Sequence, residues 1–365
     1  MSSSRKKLIE IKDLCVNFNT PEGTIQAVRD VSFYIRTGEI IGVVGESGSG
    51  KTVTASTLLG WVPGEPGIVS GEVLYYDESE VKHTLVSIPK LKDGFQEGAI
   101  DVKISEHELN SRFRDIRSED FTMIFQEPKR YLHPFWTVQK HFDDILKRSN
   151  GISVKDLAFP FLESVGLSQK IWDQYPHNLS GGMNQRLMIA LALARQPRLL
   201  IADEMTTGLD VTTQVKIAEM LSRLISEAEN QNRAIIMISH DIAFIIKIVN
   251  VIMVMYAGEI VEFGPADLFY DEDQDDNHPY TNALLDVYYD RNKSFIEGDV
   301  PSSKNPPPGC PFRERNCRIL NENIGQLGSL CENHRPQKFF INDQQDHWVR
   351  CHKFTIEPWS KIVSS

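Results

Sequence analysis

An α/β chain built on a parallel sheet, with a smaller antiparallel sheet in front of it, is the architecture these 365 residues predict. Three stretches carry the parallel part: EIIGVVG at 39–45, PRLLIAD at 197–203 and RAIIMISH at 233–240 are almost continuously apolar, as strands covered on both faces are. Helix-like segments lie between them, the alternation that builds parallel sheets. LIEIKDLCVNF (8–18) and AVRDVSFYIRTG (27–38) instead alternate apolar and polar residues, as half-buried antiparallel strands do.

The remaining segments are read in chain order. Residues 77–117 are charged, with few consecutive apolar residues and the loose stretch PKLKDGFQEGAIDVKISE, and predict a mobile inserted loop at a surface connection. Residues 137–178 are mixed in polarity and helix-like, within a helical subdomain expected at about 127–185. After Gly264 the pattern weakens through YDEDQDDNHPYTNALL and the linker VPSSKNPPPG into a tail holding four of the five cysteines. A main domain at 1–264 and an extension at 265–365 are expected, because a chain of this length exceeds what one hydrophobic core usually serves.

Composition narrows the function. A 41% hydrophobic share supports a well-buried core, while a formal net charge of -11 and a pI near 5.4 argue against nucleic acid as a partner, since a phosphate backbone demands a basic surface. MSSSRKKLIEIKDL has no apolar run of signal-peptide length behind its basic residues, and no later window holds 18 uninterrupted apolar residues. These features predict a chain kept in the reducing cytosol, where clustered cysteines are more often metal ligands than disulfides.

GESGSGKT, Gly45 to Thr52, follows the first buried strand and precedes the helix-like VTASTLLGW. It is the G-x-x-x-x-G-K-[ST] phosphate loop in its required strand–loop–helix setting. Gly45, Ser47, Gly48, Ser49 and Gly50 let backbone N–H groups turn inward around phosphates, and the helix N-terminus adds partial positive charge. Lys51 is expected on the β/γ-phosphates of ATP and the Thr52 hydroxyl on Mg2+. LLIADEM ends another buried strand in two carboxylates, Asp203 to hold Mg2+ and Glu204 to polarise an attacking water. Taken alone, an apolar strand ending in acids is as readily a strand-to-loop boundary; behind a phosphate loop the catalytic reading prevails.

LSGGMNQR at 179–186 resembles the signature of ABC transporter ATPases. Ser180, Gly181 and Gly182 would cap a helix whose N–H groups face a γ-phosphate. The resemblance implies an ABC ATPase core of the P-loop NTPase class with an antiparallel β subdomain and a helical subdomain. It further implies that Gln126 in MIFQEP senses Mg2+ and links the site to the transport subunit, and that Asp210 in TTGLD communicates across a dimer. His240 in MISHD is implied to contact γ-phosphate, and Phe18 to stack on adenine. A lone His or Phe is more often structural; here order and separation agree from about Leu8 to Gly264. Two such ATPases would sandwich ATP, so that Lys51, Gln126, Asp203, Glu204 and His240 act on one nucleotide while Ser180 to Gly182 complete the partner's site. Met205 stands where the family usually has Pro, and Asn184 where the signature usually has a basic residue or Gln. Neither change removes a catalytic atom.

HPYT within 277–285, followed by GCPFRERNC and two further cysteines, resembles the C-terminal extension of the oligopeptide and dipeptide importer ATPases. Cys310, Cys317, Cys331 and Cys351 lack paired C-x-x-C knuckles. Three readings stand open: a [4Fe–4S] cluster, which the resemblance implies; Zn2+, with or without His347 or His352; and free thiols. Whichever holds, the implied role is structural, a bound cluster or ion stapling a tail with too few apolar residues for a core of its own. Cys15, alone on a strand, is expected in the core.

The resemblance therefore implies an ATP-hydrolysing subunit of a peptide-importing ABC transporter at the cytoplasmic face of the membrane. Its implied partners are two transmembrane permease subunits, a second ATPase chain, expected to be a paralogue, and indirectly an extracellular or periplasmic peptide-binding protein. Importers of nickel or glutathione carry similar ATPases, and nothing in the sequence touches the cargo. A soluble ABC ATPase of repair or translation is disfavoured by the single cassette and the absence of a coiled-coil insertion. A non-hydrolysing scaffold is disfavoured by Glu204 and His240.

Overall fold

A computed structural model describes residues 5–62, 64–89, 104, 106–146, 152–205, 211–226, 232–269, 276–288, 296, 298–341, 346–357 and 360. The chain opens with strands β1 (Lys7–Thr20), β2 (Gly23–Arg36) and β3 (Ile40–Val44) and helix α1 (Lys51–Thr57). Strands β4 (Pro66–Tyr76) and β5 (Lys82–Ile88), helix α2 (Glu106–Glu119) and strand β6 (Phe121–Ile124) follow. Helices α3 (Pro128–Tyr131), α4 (Val138–Ile145), α5 (Val154–Ser164) and α6 (Gly181–Ala194) lead to strand β7 (Leu199–Asp203), helix α7 (Val211–Ser226) and strand β8 (Ala234–Ser239). Helix α8 (Ile242–Ile246), strands β9 (Val251–Tyr256) and β10 (Glu259–Pro265) and helix α9 (Pro279–Tyr288) come next. Helices α10 (Arg318–Glu322) and α11 (Ile324–Asn333) and two short strands, β11 (Phe339–Phe340) and β12 (Trp348–Val349), complete the described tail.

Two compact units result, one from residues 1–36, 41–111 and 239–365 and the other from 37–40 and 112–238. In the first, β1 lies between β2 and β4, and β5 extends the sheet beyond β4, all antiparallel. Leu8, Ile11, Leu14 and Val16 of β1 are buried while Lys12 and Asp13 are exposed, the half-covered pattern anticipated for an antiparallel sheet. The same unit pairs β3 parallel with β9, in register Ile41 with Val251 and Val43 with Met253. All five residues of β3 are buried, as befits a strand covered on both faces. In the second unit β6, β7 and β8 run parallel, with Phe121 beside Leu199 and Leu199 beside Ala234. Helix α6 buries every residue from Leu187 to Ala194; each large aliphatic side chain so covered contributes about 1.5–3 kcal/mol.

Three expectations meet a different structure. Residues 77–117 are not wholly a loop: β5 takes Lys82–Ile88 as an edge strand paired with β4, and α2 begins at Glu106. Leu85, Val86 and Ile88 are the buried residues of that strand, and Leu109, Phe113 and Ile116, spaced four and three apart, give α2 a buried stripe. The stretch 90–103 lies outside the described residues. Across the expected boundary at 264, β10 pairs antiparallel with β12, so the tail adds strands to the sheet that carries β9 and β3. Cys15 is only half-buried, and its sulfur accepts a 3.3 Å bond from the Asp30 N–H rather than lying in the core.

Candidate functional site

The phosphate loop leaves β3 at Val44 and enters α1 at Lys51. Gly45 has φ +148°, and a Cβ there would lie 2.1 Å from the Met255 carbonyl oxygen of β9, so no larger residue fits where the loop turns off the strand. Gly50, left-handed, stands at the N-cap of α1, and no side chain caps that helix. Lys51 is buried; its Nζ donates to the carbonyls of Gly45 at 2.7 Å and Glu46 at 2.8 Å, which folds the ammonium into the loop. Ser49 Oγ is buried, and among the described residues no hydrogen-bond partner reaches it. An orphaned hydroxyl and a coiled ammonium inside one loop are the chemistry a polyphosphate satisfies. Ser47, Gly48 and Thr52 are exposed. Phe18 of β1 is half-buried, opposite Pro66, with its ring beside Gly64.

In the second unit, β7 ends at Asp203, buried, and Glu204 follows with φ +44°. Left-handed backbone is uncommon away from glycine and costs of order 1–3 kcal/mol, so the surrounding contacts hold it. They are explicit: the Glu204 N–H donates to the Ile238 carbonyl at 3.0 Å. Gln185 Nε2 of α6 donates to the carbonyl of Met205, itself buried, at 2.7 Å. Gln126 Nε2 donates to Glu204 Oε2 at 2.6 Å, joining two residues that the sequence singled out 78 positions apart. Within this unit the Asp203 carboxylate and the Gln126 amide oxygen are the hard oxygen donors that Mg2+ takes, so their chemistry fits that ion. Asp210 lies outside the described residues. His240 is exposed, just before α8, whose N-cap Asp241 accepts from the Phe244 N–H at 3.0 Å.

Ser180 caps α6, its hydroxyl accepting from the Met183 N–H at 3.2 Å, with Gly181 exposed and open space where a Cβ would stand. Asn184 is fully buried, and its Nδ2 donates to the carbonyls of Pro176 at 2.9 Å and Leu179 at 3.4 Å. The unusual signature residue thus braces the turn before the helix. Arg186 does similar work, reaching the Gly166 carbonyl at 3.0 Å.

The HPYT stretch is a docking device. Glu262 of β10, fully buried, accepts from the His278 N–H at 2.8 Å and the Thr281 hydroxyl at 2.5 Å, and its other oxygen lies 3.1 Å from His347 Nε2. The four tail cysteines are all buried and line one small cavity together with His278, Phe312 and Lys353. A Cβ on Gly309 would lie 2.1 Å from the Cys331 carbonyl oxygen, and that carbonyl accepts the Cys310 N–H at 2.8 Å. A hydrogen bond between Cys310 and Cys331 raises the first thiol and lowers the second, while burial pushes Cys351 up to about 12. The geometry does not bear out the expected metal centre: the four cysteines line one cavity, but among the described residues no three metal-ligating side chains stand in an arrangement that would hold an ion. His352 Nε2 lies 2.8 Å from the His334 carbonyl, so both candidate zinc histidines are engaged elsewhere.

Comparison with known proteins sharpens these observations. A sequence profile described as ABC transporter matches residues 28–207, and one described as oligopeptide/dipeptide transporter, C-terminal region, matches 261–322. The oligopeptide transport ATP-binding protein OppD of Bacillus subtilis is 38% identical over 94% of this chain and 88% of its own. The chain belongs to the peptide-transport ATP-binding family. OppD of Escherichia coli is 38% identical over 84% of this chain and 85% of its own, and the dipeptide transport ATP-binding protein DppD of Lactococcus lactis 37% identical over 86% and 84%. Among solved structures, a dimeric ATP-binding cassette in a post-hydrolysis state with ADP and phosphate superposes with a TM-score of 0.56 at 24% identity. It covers 71% of this chain and 99% of that one, a likeness of fold. As a member of the peptide-transport ATP-binding family, the chain is an ABC-type ATPase whose hydrolysis is coupled to transport. Among the described residues no helix is long and apolar enough to cross a membrane.

Two features of this family member escaped the sequence reading. The fixed backbone at Glu204 and the buried role of Asn184 depend on contacts from α6 and the turn before it. No local signal in ADEM or GGMNQR reports such contacts.

Proposed function

We propose that this chain is the ATP-hydrolysing subunit that energises import of di- and oligopeptides, bound to two permease subunits at the cytoplasmic face of the membrane and paired with a second ATPase. Whole-length similarity to oligopeptide transport ATP-binding proteins, tail included, supports the cargo class, and it is the single observation that carries it. In the proposed mechanism Lys51 neutralises charge on the γ-phosphate and His240 contacts it. Thr52, Asp203 and Gln126 would hold Mg2+, which would supply charge neutralisation for the transferring phosphoryl group. Glu204 accepts the proton of the attacking water, its carboxylate aimed by the Gln126 amide. Phe18 stacks on adenine, Asp210 communicates across the dimer, and Ser180, Gly181 and Gly182 of each chain complete the site on the other.

For the tail we infer that Cys310, Cys317, Cys331 and Cys351 hold a [4Fe–4S] cluster. Support comes from the donor set, four buried sulfurs around one cavity; the engagement of His347 and His352 elsewhere argues against a zinc site that includes either histidine, and metal analysis separates a cluster from zinc on the four thiolates. Anaerobic purification should yield about four iron and four labile sulfide per chain; zinc in their place, or no metal, would overturn this assignment. The cargo is tested in the native membrane complex. Mixed di- and oligopeptides with their binding protein should stimulate ATP hydrolysis, whereas stimulation by nickel chelates or glutathione alone would replace the cargo.

A further inference from the structure

The second residue of the phosphate loop, Glu46, is held by the tail. Its carboxylate receives two parallel bonds from one guanidinium: Arg315 Nη1 to Oε2 at 2.9 Å and Nη2 to Oε1 at 3.1 Å. Its backbone N–H donates to the Tyr280 hydroxyl at 2.8 Å, and its carbonyl accepts from Lys51 Nζ at 2.8 Å. Arg315 sits in the turn whose two ends are Cys310 and Cys317, with its side chain 2% exposed, and it also donates to the Ile296 carbonyl at 2.8 Å. Phe312 of the same turn lies 5.5 Å, ring to ring, from both Tyr256 and Tyr280. The residue whose carbonyl holds the Lys51 ammonium is therefore fixed by groups more than 230 positions away in the sequence.

We propose that Arg315 and Tyr280 are positioning residues for the nucleotide reaction: through Glu46 they hold the phosphate loop in its binding shape, so ATP affinity depends on the docked tail. Bidentate, charge-assisted bonds supply both energy and direction, which a loop that must present several N–H groups to one phosphate requires. The pair is asymmetric. Arg315 is the buried partner and Glu46 the wetter one, at 28% exposure. Removing the carboxylate strands a buried cation and costs stability as well as order, whereas removing the guanidinium lets Glu46 rehydrate and chiefly frees the loop.

The test uses the full-length chain, with trinitrophenyl-ATP as the binding probe and steady-state ATP hydrolysis as the second readout. Arg315→Gln and Tyr280→Phe should each raise the dissociation constant and the ATP KM about tenfold, with kcat at saturating ATP changed less than about threefold. Arg315→Lys, which keeps charge but loses the fork, should recover part of the loss. The double variant Glu46→Gln/Arg315→Gln should bind no more weakly than the weaker single one, because both act through one contact. Affinity and KM within twofold of the parent protein in Arg315→Gln and Tyr280→Phe would overturn the proposal and leave a mere staple, whatever the melting temperature did. Should Arg315→Gln fail to fold, Tyr280→Phe, which removes one oxygen and keeps the ring in place, decides alone.

Discussion

At Glu204 three separate devices meet on one residue: a left-handed backbone, a carbonyl tie from Gln185 to the next residue, and an amide tie from Gln126 to the carboxylate. Such convergence suits the general-base role proposed for Glu204, since proton transfer depends on aim as much as on basicity. Glu204→Gln should lower kcat by at least about a hundredfold while leaving ATP affinity within a few-fold; unchanged hydrolysis in a steady-state assay would sink the mechanism. A second residue-scale prediction concerns acid. Burial, and the Lys353 ammonium beside it, pull the His278 imidazole down to about 3. The unfolded chain takes up that proton near pH 6.5, so the folded state has its full stability above that pH and loses it as the pH falls toward 3. Between pH 7 and 5 the loss from this group is about 2 kcal/mol. Denaturant unfolding at the two pH values should show this difference, and His278→Gln should shrink it.

At the scale of single elements, much was legible because the signal is local. The buried strands β3, β7 and β8 are runs of apolar residues, and the loop after β3 is spelled by its glycines and lysine. Strand β5 and helix α2 were not legible, since an edge strand with one covered face and a helix with three buried positions look like any charged surface segment. Nor could Asn184 be read as a brace, because its partners are carbonyls and carry no residue type. Two measurements belong here. Ser180→Ala removes the N-cap of α6 and should cost about 1 kcal/mol of stability by denaturant titration. Thr281→Val leaves Glu262, fully buried, short of one donor and should cost about 1–3 kcal/mol, while a loss below measurement error would mean that the HPYT stretch is not what docks α9.

For the molecule as a whole, the four-cysteine tail raises the question of what an appendage with little core of its own is for. Part of the answer is visible in its ties: β12 joins β10, His347 and Thr281 share Glu262, and Arg315 reaches the phosphate loop. A tail read from sequence alone looks like a separate module, because sequence shows its composition and not the partners to which its polar groups are bound. The central claim, that this ATPase drives a membrane importer, predicts an assembly of several chains. Gentle detergent purification of the tagged native protein, followed by mass spectrometry of everything retained, tests it most directly. Two multi-span membrane proteins and a second ATPase are the predicted companions; recovery of the chain alone, or with ribosomal or DNA-repair proteins, would contradict the account.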